Sequence, residues 1–152
     1  LLASAGFPFF IYQRIMLQPL TKESRMYLIP VSAGELLDKL TILEIKSEYI
    51  EDEAKLANVN KERTAICNAA LDLPGSEELL ELRTELLNVN KELWDIEDVI
   101  RRCEKERLFD DDFIALARSV YKYNDRRAAI KRAINELLGS ELVEEKSYED
   151  YT

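Results

Sequence analysis

Residues 79–103 read LLELRTELLNVNKELWDIEDVIRRC, and their apolar positions Leu79, Leu82, Leu86, Val89, Leu93, Ile96, Ile100 and Cys103 advance in alternating steps of three and four. A strand needs period two; this series instead keeps its apolar side chains on one stripe of a helix, a seam for packing against other helices. Just upstream, Leu73, Pro74, Gly75 and Ser76 make a turn, with Ser76 capping the helix and Glu77 and Glu78 in its first turn. The helix ends near Arg107. Asp110, Asp111 and Asp112 then offer an N-cap to a further helix from Phe113 to Leu138, closed by Gly139 at the position that favours a left-handed residue. Its seam is Phe113, Leu116, Val120, Tyr123, Ile130, Ile134 and Leu137.

Toward the N-terminus, Tyr27 to Val31 is an extended lead containing Pro30, and Ser32 to Glu35 is S-x-x-E, a capping box flanked by Val31 and Leu36 as a hydrophobic staple. The spacing predicts a first helix running from Ser32 to about Asp72. The expected fold is all-α: three long antiparallel helices in an up-down-up bundle with coiled-coil-like seams and an extended N-terminal lead. Residues 1–25 form an apolar extension, expected to lie upstream of a true start at Met26 or Met16. Residues 26–139 make one three-helix domain, and residues 140–152 form an acidic tail, with Tyr148 and Tyr151, expected to fray or pack loosely. A short echo, N-V-N-K-E at 58–62 and 88–92, is too brief to make a repeat array.

Composition excludes several functions. With 30 acidic against 21 basic residues, the net charge is -9, and the surface repels phosphate backbones and anionic membranes. No nucleic acid is expected as a partner. The mostly apolar stretch Leu1 to Leu20, with its cluster Phe7 to Tyr12, is interrupted by Pro8 and Arg14, and its uninterrupted apolar run falls short of the roughly 20 residues of a membrane span, so no stable membrane insertion is expected. Histidine is absent, which removes the commonest general base and transition-metal ligand. No metal or cofactor is expected. Cys67 and Cys103 lack zinc or redox spacing and read as reduced thiols of a cytoplasmic protein.

The expected first helix is apolar on two sides. Leu36, Leu40, Leu43, Ile50 and Ala54 form one stripe, and Ile42, Ile45, Tyr49, Leu56 and Val59 form another on nearly the opposite face. The second stripe needs a cover, either the apolar N-terminal segment or another copy of the chain, so a homodimer is expected with these five residues and Trp94 as interface candidates. Trp94 shares a row with Leu80 and Leu87 and reads first as packing.

The binding candidates are polar residues that interrupt the inward seams. Arg127 fills the central slot of the last helix, Asn124 and Lys131 share its arc, and Asn90 and Glu97 project from the preceding helix. Folding the hairpin at Glu106 to Asp110 places Arg127 near Asn90. An arginine there needs a carboxylate, carbonyls or a bound anion, and the basic side of its helix is expected to meet the Asp38, Glu48 and Asp52 side of the first helix. Glu78, Glu81, Glu92 and Asp95 imitate the paired carboxylates of helical pyrophosphohydrolases, but they sit on one helix and point outward, the wrong geometry for a shared metal.

The stretch Ile29 to Lys46, I-P-V-S-A-G-E-L-L-D-K-L-T-I-L-E-I-K, resembles the opening signature of a bacterial and viral family catalogued as domain of unknown function 6165. Glu92 to Asp98 (E-L-W-D-I-E-D), Ala117 to Arg127 (A-R-S-V-Y-K-Y-N-D-R-R) and Ile134 to Ser140 (I-N-E-L-L-G-S) are similar to the same family, over about Met26 to Tyr148. Ala33 stands where Pro is usual, and both suit a first helical position. The resemblance implies a surface-polysaccharide assembly context and no defined activity. Two readings follow. The first is a non-enzymatic helical interaction and oligomerisation module with a protein partner. The alternative is a small helical anion- or nucleotide-binding protein or enzyme working through the Asn90, Glu97, Asn124, Arg127 and Lys131 notch, as chorismate-type mutases grip a dicarboxylate.

Overall fold

The computed structural model describes residues 26–145 and 147; the apolar extension expected at 1–25, and Tyr148 and Tyr151 of the tail, lie outside them. Among the described residues there are four helices: α1, Ala33–Tyr49; α2, Glu53–Ala70; α3, Glu77–Glu106; and α4, Asp111–Leu137. No strand occurs among the described residues, and the class is all-α.

The count corrects the expected three, because the rod expected from Ser32 to Asp72 breaks between Tyr49 and Glu53. Ile50 leaves the helix with φ -88° and ψ 116°, and Asp52 starts the next one by accepting the Lys55 backbone N–H at 2.8 Å. The two opposed apolar stripes give the physical reason. One rod cannot bury both faces in a small domain, whereas a rod folded back on itself covers part of its own second face. The Lys39–Glu62 ion pair at 2.8 Å, and a hydrogen bond from Arg63 to Ser47, bridge α1 and α2. Ile45 on α1 and Val59 on α2 are both buried within the single chain.

The remaining boundaries follow the caps. Ser32, Ser76 and Asp110 each accept a backbone N–H three residues on, from Glu35, Leu79 and Phe113 respectively. Arg107 reverses the chain between α3 and α4 with φ 60° and ψ 34°, a left-handed conformation that costs a non-glycine residue about 1–2 kcal/mol. Gly139, at φ 58°, ends α4. Its N–H bonds the Glu136 carbonyl while the Ser140 N–H returns to the Asn135 carbonyl at 2.8 Å, a Schellman arrangement.

That turn delivers Ser140 to the start of α1. The first N–H groups of a helix lack intrahelical partners, and here those of the first three helical residues are met from outside the ladder. Ala33 N–H donates to Ser140 Oγ at 3.3 Å, Gly34 N–H to Asn135 Oδ1 at 2.7 Å and Glu35 N–H to Ser32 Oγ at 3.2 Å, and the intrahelical series then begins with Leu36 N–H on the Ser32 carbonyl at 3.0 Å. The glycine is required by proximity, since a Cβ at Gly34 would lie 2.5 Å from the Lys131 carbonyl oxygen. Glu35 completes no reciprocal capping box, because its carboxylate pairs with Lys131 instead.

α1 lies against all three other helices, and α3 packs along α4. The core joins Leu37 and Leu40 of α1 to Leu79, Leu86, Val89 and Leu93 of α3 and to Ile130 and Ile134 of α4. Each such side chain contributes about 1.5–3 kcal/mol relative to exposure. Buried positions on α3 stop at Ile96 and those on α4 begin at Ile130, so the loop end of this hairpin extends past the buried core.

Candidate functional site

The centre of the site is a carboxylate. Gly34, Asp38, Thr41 and Ile45 follow one another at intervals of four and three, so one line of α1 faces inward, and all four are buried. An ionised side chain in that position must be compensated by opposite charge and hydrogen bonds. Arg127 supplies both: Nε donates to Asp38 Oδ1 at 2.8 Å and Nη2 donates to Oδ2, a two-pronged grip. Asn90 Nδ2 donates to the same Oδ1 at 2.8 Å and to Thr41 Oγ1 at 2.9 Å, and Thr41 in turn donates to the Asp38 carbonyl. Three helices are thereby pinned at one level. Among the described residues no buried side-chain nitrogen or oxygen lacks a partner.

The hydrogen bond to Asp38 raises the Arg127 guanidinium above its ordinary value against the opposing effect of burial. Lys131, more deeply buried than Arg127, lies one turn further along α4 and turns away from the pair, toward Glu35 at 2.6 Å and Glu144. Burial works to lower the Lys131 ammonium, but its hydrogen bonds to Glu144 and Glu35 outweigh this and hold it above 10.5. The first residues of the acidic tail are therefore tied to α4, with Glu145 on Arg132 beside Glu144 on Lys131.

Next to the Asp38–Arg127 pair opens a cavity of about 420 Å³ between α1, α3 and α4. Ile42, Ile45, Leu93 and Trp94 supply its apolar wall; Asn90, Glu97, Asp98, Arg101, Asn124 and Arg127 supply its polar lining. Trp94 also meets Tyr49 in a tilted ring contact, centroids 5.6 Å apart.

Of the five binding candidates, Asn90, Glu97, Asn124 and Arg127 are brought to this one cavity, and Lys131 is not. Glu97 pairs with Arg101 on its own helix at 2.7 Å rather than with Arg127, and Asn124 accepts a long hydrogen bond from Arg127 at 3.5 Å. Of the interface candidates, Ile42, Ile45 and Trp94 line the cavity, Tyr49 borders Trp94, and Leu56 and Val59 lie on α2. The expected meeting of α4's basic side with α1 occurs at Asp38, while Glu48 pairs with Lys91 of α3 and Asp52 serves as a cap. Sequence reasoning placed Asp38 with Glu48 and Asp52 on the side of the first helix that meets the basic side of the last, without singling it out as the buried partner of Arg127. The pattern that identifies it is its place in the small and polar line of Gly34, Asp38 and Thr41, which alternates with Leu37 and Leu40. Asn135 and Ser140 carry no comparable signal, since their partners are backbone N–H groups a hundred residues away.

The site's buried polar groups are already matched to one another. Arg127 spends its fork on a carboxylate of its own chain. No group of three or more cysteine and carboxylate side chains among the described residues is placed to hold a metal, and Glu78, Glu81, Glu92 and Asp95 all face solvent on α3. No helix of the described residues is long and apolar enough to cross a membrane.

Asp38, Trp94, Glu97, Arg127, Asn135 and Ser140 all lie within the stretches that carry the resemblance noted above. Neither the curated proteins nor the solved structures include a match to the chain. A family model does match, over residues 27–151: the chain belongs to the family of unknown function DUF6165.

Proposed function

We propose that the protein is a non-enzymatic helical interaction module, a bundle that offers the cavity between α1, α3 and α4 as its docking surface. One observation carries the reading. The cavity is open and aromatic-walled, yet the charged groups beneath it are consumed by Asp38, Arg127, Asn90 and Thr41 among themselves. Such a floor fixes the register of three helices and spends its own carboxylate and guanidinium on each other, with the exposed Asp98 standing apart on the cavity lining. With α2 covering part of α1, the apolar surface left for a partner or a second copy centres on Ile42, Tyr49 and Trp94. Free Cys67 and Cys103 are in keeping with a reducing, cytoplasmic setting.

The alternative, a small anion- or nucleotide-binding protein, draws support from the exposed Arg101 and from Asn124 on the cavity lining. Trp94 is the chain's single tryptophan, so its emission reports on this cavity alone. Titrating phosphates, nucleotides, sugar nucleotides and dicarboxylates, with and without magnesium, against short apolar peptides separates the two readings. The module reading expects Trp94 to respond to apolar peptides and to ignore the anions. A saturable response to an anion, lost in Arg101→Ala, would replace it with the alternative.

A further inference from the structure

We infer that the outer face of α4 is a docking strip for an extended acidic segment, and that its occupant is this chain's own tail, residues 146–150, continuing the contact that Glu144 and Glu145 begin. The strip lies on the side of α4 opposite Arg127 and is independent of the cavity. There Arg118, Lys122, Asp125, Ala129 and Arg132 advance by four and three in turn, which sets them in one line along the helix. All but the half-buried Asp125 are exposed, and the exposed Arg126 stands beside them. Among the described residues Lys122 and Arg126 enter no ion pair. A solvated row of cations needs no occupant by itself. One end of this row already has one.

After Gly139 reverses the chain, Glu144 lies on Lys131 and Glu145 on Arg132 at 3.0 Å. Between Ser140 and Glu145 the backbone has therefore come back past roughly two turns of α4, antiparallel to the helix. Glu144 also bounds a groove of about 90 Å³ lined by Ala128 and Ala129, whose single methyl groups let a passing backbone come close. The tail thus approaches the cationic row end-on and points along it.

Length and charge fix the register. From Arg132 back to Lys122 the helix rises roughly 15 Å, and the extended chain from Glu145 to Asp150 spans roughly 17 Å. The sequence E-E-K-S-Y-E-D at 144–150 then sets its charges in the order the helix requires. Glu144 and Glu145 meet Lys131 and Arg132, Lys146 follows on the approach to Asp125, and Glu149 and Asp150 arrive at Lys122. Residues 1–25 carry Arg14, Lys22 and Arg25 against Glu23, the wrong sign for the strip. A separate acidic partner would compete with a segment already pinned at Glu145, whose effective concentration over so short a span is on the order of millimolar.

The test treats the full 152-residue chain with a zero-length carbodiimide and maps the new amides by mass spectrometry. The expected product joins Lys122 to Glu149 or Asp150 within one chain, and its yield falls at least about fivefold in about 1 M salt, where the screening length is about 3 Å. Chymotryptic cleavage after Tyr148 is expected to be at least about tenfold slower than in a free peptide of residues 144–152. Arg118→Glu combined with Lys122→Glu, both on exposed positions, removes most of that protection with helix content unchanged. Adding Glu149→Lys and Asp150→Lys reverses the other partner and restores it. Cleavage of the unmodified chain as fast as the peptide, or a double reversal that restores nothing, overturns the inference. Amides formed only between isotope-labelled and unlabelled chains overturn it in favour of an acidic segment supplied by a second copy.

Discussion

The two ends of the α3–α4 hairpin share one apolar spacing and differ in what covers it. Toward Ser76 and Leu137 the seam is closed by α1 and holds Leu86 and Ile134 with no exposed surface. Toward Arg107 the same alternation of threes and fours continues through Ile100, Cys103, Phe113 and Leu116, yet none of these is fully buried. Periodicity therefore specifies that helices pack, and the third helix determines where packing becomes a core. The boundary between the two regimes is where the cavity lies, with α1 ending at Tyr49 beside Trp94. A site at the edge of a core gains rigidity from one side and access from the other.

If the Asp38 hub holds the covered end together, cutting it has the largest effect. Asp38→Ala leaves Arg127 and Asn90 without their acceptor and lowers unfolding free energy by about 3 kcal/mol, the low end for a broken buried pair because Arg127 keeps some access to water. Urea denaturation measures it. Asp38→Leu combined with Arg127→Met recovers most of that loss if the pair serves register rather than stability, since apolar replacements of buried ion pairs are often neutral. A double variant as unstable as the single one would show that the hub holds the fold in its own right.

The comparison is sharpened by one truncation at each end. Leu86→Ala, with its side chain wholly buried, costs about 2–5 kcal/mol, whereas Ile100→Ala, half-buried in the arm, costs about half as much. Hydrogen exchange then shows slower amide exchange around Leu86 than around Ile100 in the unmodified protein. Equal losses and equal protection would erase the distinction between core and arm.

A smaller effect is expected at the clasp. Gly34→Ala forces α1 away from the Lys131 carbonyl and lowers stability by about 1–3 kcal/mol, despite alanine's better helix propensity. The smallest is a dependence on pH. Because Lys131 is raised in the folded protein, its contribution is fully present below 10.5 and is lost as pH climbs through the higher folded value. Thermal midpoints of the unmodified protein and Lys131→Met should therefore converge above that point and separate below it, with Glu35 and Glu144 as the facing groups.

Most of the helical frame was readable before any coordinates. Ser32, Ser76, Asp110 and Gly139 mark boundaries because caps are local chemistry, decided within four residues. The break after Tyr49 was not, since Ile50, Glu51 and Asp52 include neither glycine nor proline, and its trace was indirect: an apolar face that changes sides partway along a supposed rod. Arg127 and Asn90 stood out because each interrupts an apolar seam. Asp38 was legible only as one of three acids, with Glu48 and Asp52, facing the basic side of α4, because a carboxylate beside Lys39 looks like ordinary surface until another helix's guanidinium arrives. Sequence pattern reveals the odd residue within its own element and narrows its partner to a face rather than to a residue.

The hydrogen bond from Ala33 to Ser140 has one more consequence. It brings the first and last turns of the helical unit side by side, so a short linker from Ser140 to Val31 could join them and new termini could be cut at Pro74–Gly75, where a side chain would meet nothing within 4 Å. Such a circularly permuted protein would keep every helix intact, and the whole unit could equally be spliced into a surface loop of a carrier protein.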